Sequence, residues 1–123
     1  MSGKEILVDT NIILYLLKGN DTLEELLQGK TIYISFMTEL ELIGFKYMTP
    51  AEEEQIQNLL SDCVIIPLNT NIKKSYVAIR RAHQLKLADA VIAATATSLN
   101  IPLITSDKQF RTVTGLSLLA YEV

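Results

Sequence analysis

Asp9, Glu41, Asp89 and Asp107 are carboxylates in places where a carboxylate has little structural use. Asp9 ends the apolar run Ile6-Leu7-Val8, and Asp107 follows Leu103-Ile104-Thr105-Ser106. Both runs read as buried strands with the acid at the tip. Glu41 and Asp89 fall inside apolar segments of helical character. An isolated carboxylate among apolar side chains is unfavourable, so it is usually paired, protonated or bound to a metal. Acids at element ends or helix starts can be simple caps. Four that can converge on one edge of a sheet have the chemistry of a divalent metal site.

The elements needed to position these acids alternate along the chain. A short strand at 5–8 leads to a helix capped by Thr10-Asn11 and running to about Lys18. Asp21-Thr22-Leu23-Glu24 has the capping-box pattern of a second short helix, stopped by Gly29. Residues 31–35, β-branched and aromatic, form a strand. A helix then passes through Glu41 to about Met48. Thr49-Pro50-Ala51-Glu52 opens the next, with proline at its first position and acids in its first turn. Residues 63–66 form a third strand and 70–84 a long helix. Residues 88–99 form another helix, 102–105 a fourth strand and 116–120 a fifth. Apolar strands alternating with helices call for a parallel sheet covered on both faces, a three-layer α/β/α fold. In such sheets the functional crevice lies outside the carboxyl ends of the strands. Asp9 and Asp107 both sit at that edge.

Helical spacing separates two neighbouring glutamates. At 100° per residue Glu39 and Glu41 point about 200° apart. Glu39 shares its face with Lys46 and suits solvent, whereas Glu41 lines up with Met37, Phe45 and Met48. Thr38-Glu39-Leu40-Glu41 is also a possible capping box, which would explain Glu41 without chemistry. Asp89 is followed one turn on by Ile92, Ala93 and Ala96, in a helix apolar nearly all round, and a role as first-turn acid or N-cap stays open for it.

The whole chain of 123 residues, 49% apolar and 20% charged, suits one globular domain spanning 1–123. Its longest strictly apolar run, 12–17, is far too short to cross a membrane. That run is too wide for one buried helical stripe, so part of it is either deep core or a patch for a partner. Met-Ser-Gly-Lys-Glu contains no apolar signal-peptide region, so a cytoplasmic location is expected. The single cysteine, Cys63, beside Val64-Ile65-Ile66, reads as core. The lone histidine, His83, aligns with Ile72, Tyr76 and Ile79 and reads as packed. Neither supplies a nucleophile or base. The net charge of −3 speaks mildly against a nucleic-acid partner. However, Lys73, Lys74, Arg80, Arg81 and Lys86 fall within a stretch free of acids, and the first four suit either a track for RNA phosphates or a plain solvated face.

Taken together, Val8-Asp9-Thr10-Asn11, Ser35 with Glu41-Leu42, 87–96 around Ala88-Asp89-Ala90, and 103–107 ending in Asp107 with Phe110 resemble the PIN-domain ribonucleases. The chain is most similar to the VapC toxins of prokaryotic toxin–antitoxin pairs. The likeness runs from about residue 6 to 110. It implies a parallel five-stranded sheet between helices and an acidic pocket of Asp9, Glu41, Asp89 and Asp107 that binds Mg²⁺ or Mn²⁺ and cleaves RNA. It also implies supporting roles for Thr10, Asn11 and Thr105, an antitoxin partner and a homodimer. Ala88 stands where many relatives have proline, a departure that concerns only a helix start. The metals fit independently, since they are hard ions that prefer oxygen ligands.

Two other classes share some of these features. A PIN-like fold kept as a non-catalytic RNA- or protein-binding module would have no need of four acids. Receiver domains of signalling pathways are also small α/β folds with strand-end aspartates. They need an acid pair at the first strand and an aspartate after the third, where this chain has Pro67-Leu68-Asn69.

Overall fold

The computed structural model describes residues 3–46 and 48–121; Met1 and Ser2, part of the N-terminal stretch considered above, lie outside them. Five strands, β1 (Glu5–Val8), β2 (Thr31–Ser35), β3 (Val64–Ile66), β4 (Leu103–Thr105) and β5 (Leu118–Ala120), form one sheet. All pairings are parallel, in the order β3-β2-β1-β4-β5. Helices α1 (Thr10–Leu17), α2 (Asp21–Leu27), α3 (Phe36–Ile43), α4 (Pro50–Ser61), α5 (Thr70–Ala82) and α6 (Leu87–Leu99) complete it, with a 3₁₀ turn at Lys108–Thr112.

The strand alternation divides the core in two. Leu7 and Leu103 are register partners and face the layer built by Ile72 and Ile79 of α5 and by α6. Val8 and Ile104, the next pair, face Ile12, Leu23, Leu42 and Ile56 from the other helices. Both sheet faces are therefore apolar, as a parallel sheet requires. Every residue of α6 from Ala90 to Ala96 is buried, and its alanines let it pack closely.

The apolar run at 12–17 belongs to the core: Ile12 and Ile13 are buried, and Leu14, Tyr15, Leu16 and Leu17 pack half-buried against the same cluster. Cys63 is half-buried against that cluster too, and burial pushes its thiol up to about 11. No helix among the described residues is long and apolar enough to cross a membrane.

Several boundaries move for identifiable reasons. The cap of α1 is Asp9, whose carboxylate accepts the Thr10 N–H, in place of Thr10-Asn11. Asn20 caps α2 by accepting from Leu23 N–H, so the pattern beginning at Asp21 lies inside the helix. Ser35 caps α3, which puts Glu41 in mid-helix and removes the capping-box explanation for it. That helix stops at Ile43 and does not reach Met48. A Cβ on Gly44 would lie 2.8 Å from the Leu40 carbonyl oxygen, so the chain turns there on a residue without one. Helix α4 starts as expected, with Pro50 at its first position and Glu52 and Glu53 in its first turn, and Thr49 and Glu52 also close a capping box there. Helix α5 ends at Ala82, with His83 half-buried at its C-cap.

Candidate active site

The strand order reverses between β1 and β4. Chain connections leave that point in opposite directions, and the gap between them opens at the carboxyl edge. Asp9 follows β1 there and Asp107 follows β4. Helix α3 leaves β2 at the same edge and brings Glu41; the first turn of α6 brings Asp89. The four acids line one pocket of about 170 Å³ together with Thr10, Asn11, Leu14 and Phe45. A larger cleft, about 470 Å³ along α1 and α2, draws its three acids from α2 alone, over an apolar floor of Leu16, Leu27 and Ile32.

Two of the acids are also caps. Asp9 is only 4% exposed, and both its oxygens are engaged. Its Oδ1 accepts the Thr10 N–H at 2.7 Å and its Oδ2 accepts the Thr105 hydroxyl at 2.6 Å. Thr105 in turn accepts the Asp107 N–H at 3.0 Å, and Asp107 Oδ1 accepts the Gln109 N–H at 2.9 Å. On the opposite wall the Thr10 hydroxyl lies 2.6 Å from Glu41 Oε1. Thr10 therefore links two pocket acids, Asp9 through its backbone and Glu41 through its side chain.

Glu41 is exposed by area whereas Glu39 is half-buried, the reverse of the contrast drawn from helical spacing. Glu41 and Phe45 line the pocket and Glu39 does not, but the shared face is not as drawn: Met37 borders another cavity, and Phe45 and Met48 follow the end of the helix at Ile43. The surface of Glu41 looks into an open cavity, which spacing alone cannot distinguish from solvent. Asp89 is the third residue of α6, whose N-cap is Lys86 without a side-chain cap bond, so the capping role falls away for Asp89.

The pocket is electrostatically crowded. Burial first, and then the charges of Asp9, Asp107 and Glu41, push Asp89 up to about 6, against the opposing pull of Lys86. Burial also raises Asp9; hydrogen bonds from Thr105 and Thr10 counter it, while Asp107 and Glu41 add to it. Among the described residues no three acid, histidine or cysteine side chains form a ready-made ligand cluster. Asp9 and Glu41 are turned onto their threonine partners.

The profile of the PIN domain family matches residues 6–116. This chain belongs to the PIN domain family. The PIN domain is similar, at 32% identity, to a chain of a toxin–antitoxin complex from Klebsiella pneumoniae, covering 96% of this chain and 99% of that one with a TM-score of 0.81. A chain of VapBC-1 from nontypeable Haemophilus influenzae is 28% identical over 94% of this chain and 97% of that one, with a TM-score of 0.77. A chain of VapBC2 from Rickettsia felis, solved bound to a DNA fragment from its promoter, shares the fold at 22% identity. Its TM-score is 0.86, with 96% and 99% of the two chains covered. No curated protein matches the sequence. PIN domains are generally nucleases and generally depend on a divalent metal. A receiver domain is thereby excluded, and the strand order agrees: receivers run 2-1-3-4-5, this sheet 3-2-1-4-5.

All four acids and the polar residues Thr10 and Asn11 line the PIN pocket, and Thr105 bonds Asp9 at its base. Lys73, Lys74, Arg80 and Arg81 are exposed on α5 and are not part of this lining. Lys73 instead borders an apolar cavity with Phe36, Met37, Leu68, Tyr76, Leu87 and Val91. Sequence reasoning passed over Leu14 as a wall residue and Thr38 as a polar neighbour of Thr10. The available signal for Thr38 was its place one turn before Glu41.

Proposed function

We propose that this PIN domain is a metal-dependent endoribonuclease and the toxin of a toxin–antitoxin pair. One observation carries the proposal: acids from four separate segments meet at the switch point of the sheet, where burial first and then the other three charges push Asp89 up. Like charges so placed favour a cation between them. The donor set fits Mg²⁺ or Mn²⁺, since every ligating group is an oxygen. A pocket of about 170 Å³ also has room for the ion with several waters, at about 30 Å³ each. Asp9, Glu41, Asp89 and Asp107 would hold the ion, with Asp9 and Glu41 steadied by Thr105 and Thr10 and Asn11 at the rim. When bound, such an ion supplies charge neutralisation at a phosphodiester and acidifies water. The acids also exclude a phosphate from the pocket until a cation is present, because four carboxylates repel it.

Likeness to chains of VapBC complexes supports an antitoxin partner. A homodimer belongs to the same proposal. Its support is the exposed apolar surface of Leu40, Ile43, Leu68 and Leu87, since the run at 12–17 is taken up by the core. The four basic residues of α5 are proposed to hold RNA phosphates outside the pocket.

The test is RNA cleavage during a Mn²⁺ titration. Wild type is expected to cleave only with metal, and Asp9→Asn to lose cleavage while staying folded. Glu41→Gln should remove most activity and Glu39→Gln little. Cleavage in EDTA, or full activity in Asp9→Asn, refutes the proposal; RNA binding without cleavage points to a binding module instead.

A further inference from the structure

Thr38 is completely buried on α3, one turn before Glu41, and its hydroxyl oxygen stands 3.1 Å from that of Thr10. A hydroxyl has one proton, and a carboxylate can only accept. The 2.6 Å contact to Glu41 therefore takes the proton of Thr10. The Thr38–Thr10 bond must then run the other way, with Thr38 donating and Thr10 accepting.

A second buried threonine in the same fold shows the bland alternative. Thr95 of α6 donates to the Val91 carbonyl one turn back at 2.8 Å, the usual way for a helical threonine to satisfy itself. Thr38 instead directs its hydroxyl out of its own helix, to a residue 28 positions away on α1. The far wall of the pocket repeats this arrangement. There the Thr105 hydroxyl donates to Asp9 and is itself oriented by the Asp107 N–H. Each held acid thus has a threonine donor, and each threonine has a second donor fixing the direction of its O–H.

We infer that Thr38 is a positioning residue, which aims the Thr10 proton at Glu41 and so holds one carboxylate oxygen back while the other serves the pocket. The inference rests on the proposal that Glu41 holds the metal. Thr38 touches neither metal nor RNA; it acts through Thr10. Without the Thr38 hydroxyl, no donor fixes the Thr10 oxygen, its O–H is free to turn away from Glu41, and the carboxylate loses its fixed setting. Partners bonded directly to a ligand, the place Thr10 holds, typically change metal affinity by about 10- to 100-fold when removed; Thr38, one bond further out, falls at the low end of that range.

The decisive measurement is Mn²⁺ affinity by titration calorimetry, on wild type, Thr38→Val and Thr38→Ser. Valine keeps the shape and replaces the hydroxyl with a methyl group; serine keeps the hydroxyl and removes a methyl group. Thr38→Val is expected to bind Mn²⁺ about 10-fold more weakly, and Thr38→Ser to return close to wild type. If valine fails to fold, Thr38→Ala replaces it in the same comparison. Adding Thr38→Val to Thr10→Val should cost no further affinity, since Thr38 acts only through Thr10. Equal affinity in wild type and Thr38→Val overturns the inference, and so does a serine variant as weak as valine, which would mean packing alone. A further loss in the double variant overturns it as well. Failure of the wild type itself to bind Mn²⁺ would instead remove the metal proposal, and this inference with it.

Discussion

At the scale of single residues, Asp89 is the acid on which pH should act most visibly. Its folded value, about 6, lies above its ordinary 3.8, so the metal-free fold prefers the protonated form. The stability this provides is complete below about pH 4 and is lost as pH rises through about 6, after which it stays flat. Asp89→Asn should abolish that slope. In EDTA the variant is expected to be more stable than wild type at pH 7, with the gap closing toward pH 4. Urea unfolding of both proteins across this range checks it; a constant gap would refute it. The difference must be used because acids such as Glu52, lowered by its cap bonds, act in the opposite sense and lose their contribution as pH falls. Thr105 offers a second residue-scale test. Thr105→Val strips the 2.6 Å donor from a carboxylate that is 4% exposed, and should destabilise the fold by about 1–3 kcal/mol at neutral pH. In an Asp9→Ala background, where no buried polar group is left facing Thr105, most of that loss should vanish.

Among the elements, the end of α3 sets the shape of the pocket. Gly44 permits the turn that follows Glu41, and Phe45 comes directly into the lining. Gly44→Ala would force a Cβ against the Leu40 carbonyl, a backbone atom that cannot step aside. A loss on the order of 1–3 kcal/mol is expected, as for other overpacked sites, together with weaker metal binding. Thermal melting and Mn²⁺ titration report the two effects, and an unchanged melting temperature would show the helix end to be looser than this. Helix α5 makes a different prediction. If its basic face tracks RNA, neutralising Arg80 and Arg81 should lower the log–log salt slope by roughly 0.7 for each phosphate no longer held. Binding measured in an Asp9→Asn background separates affinity from turnover. An unchanged slope would leave α5 as a solvated face.

For the whole molecule, the switch point couples folding to the ion. A ligand that binds only the folded state stabilises it by mass action, about 2.7 kcal/mol at 100 times its Kd. Melting in millimolar Mn²⁺ should therefore exceed melting in EDTA by several degrees, and the increment should shrink below about pH 6, where Asp89 takes up its proton. Identical curves would mean that the four acids do not share a cation. Sedimentation at tens of micromolar tests the proposed dimer, which a monomer alone would reject.

The layered α/β order was legible because it depends on short-range patterns: β-branched apolar runs for strands, and proline and cap residues for α4. The four acids were legible too, each out of character with its neighbours, and the parallel-sheet rule sent two of them to the same edge. The local sequence could not rank competing caps, since Asp9 and Thr10, or Asn20 and Asp21, offer nearly equal chemistry one position apart. The backbone decides between them: it is extended at Asp9 and Asn20 and helical from the next residue on. Nor could it show that Glu41 looks into a cavity, because a helix face is the same whether solvent or another element lies beyond it. The threonine contacts belong wholly to the tertiary structure. Thr10 meets Glu41 across 31 positions and Thr105 meets Asp9 across 96, and only the parallel pairing of β1 with β2 and β4 brings them within a hydrogen bond.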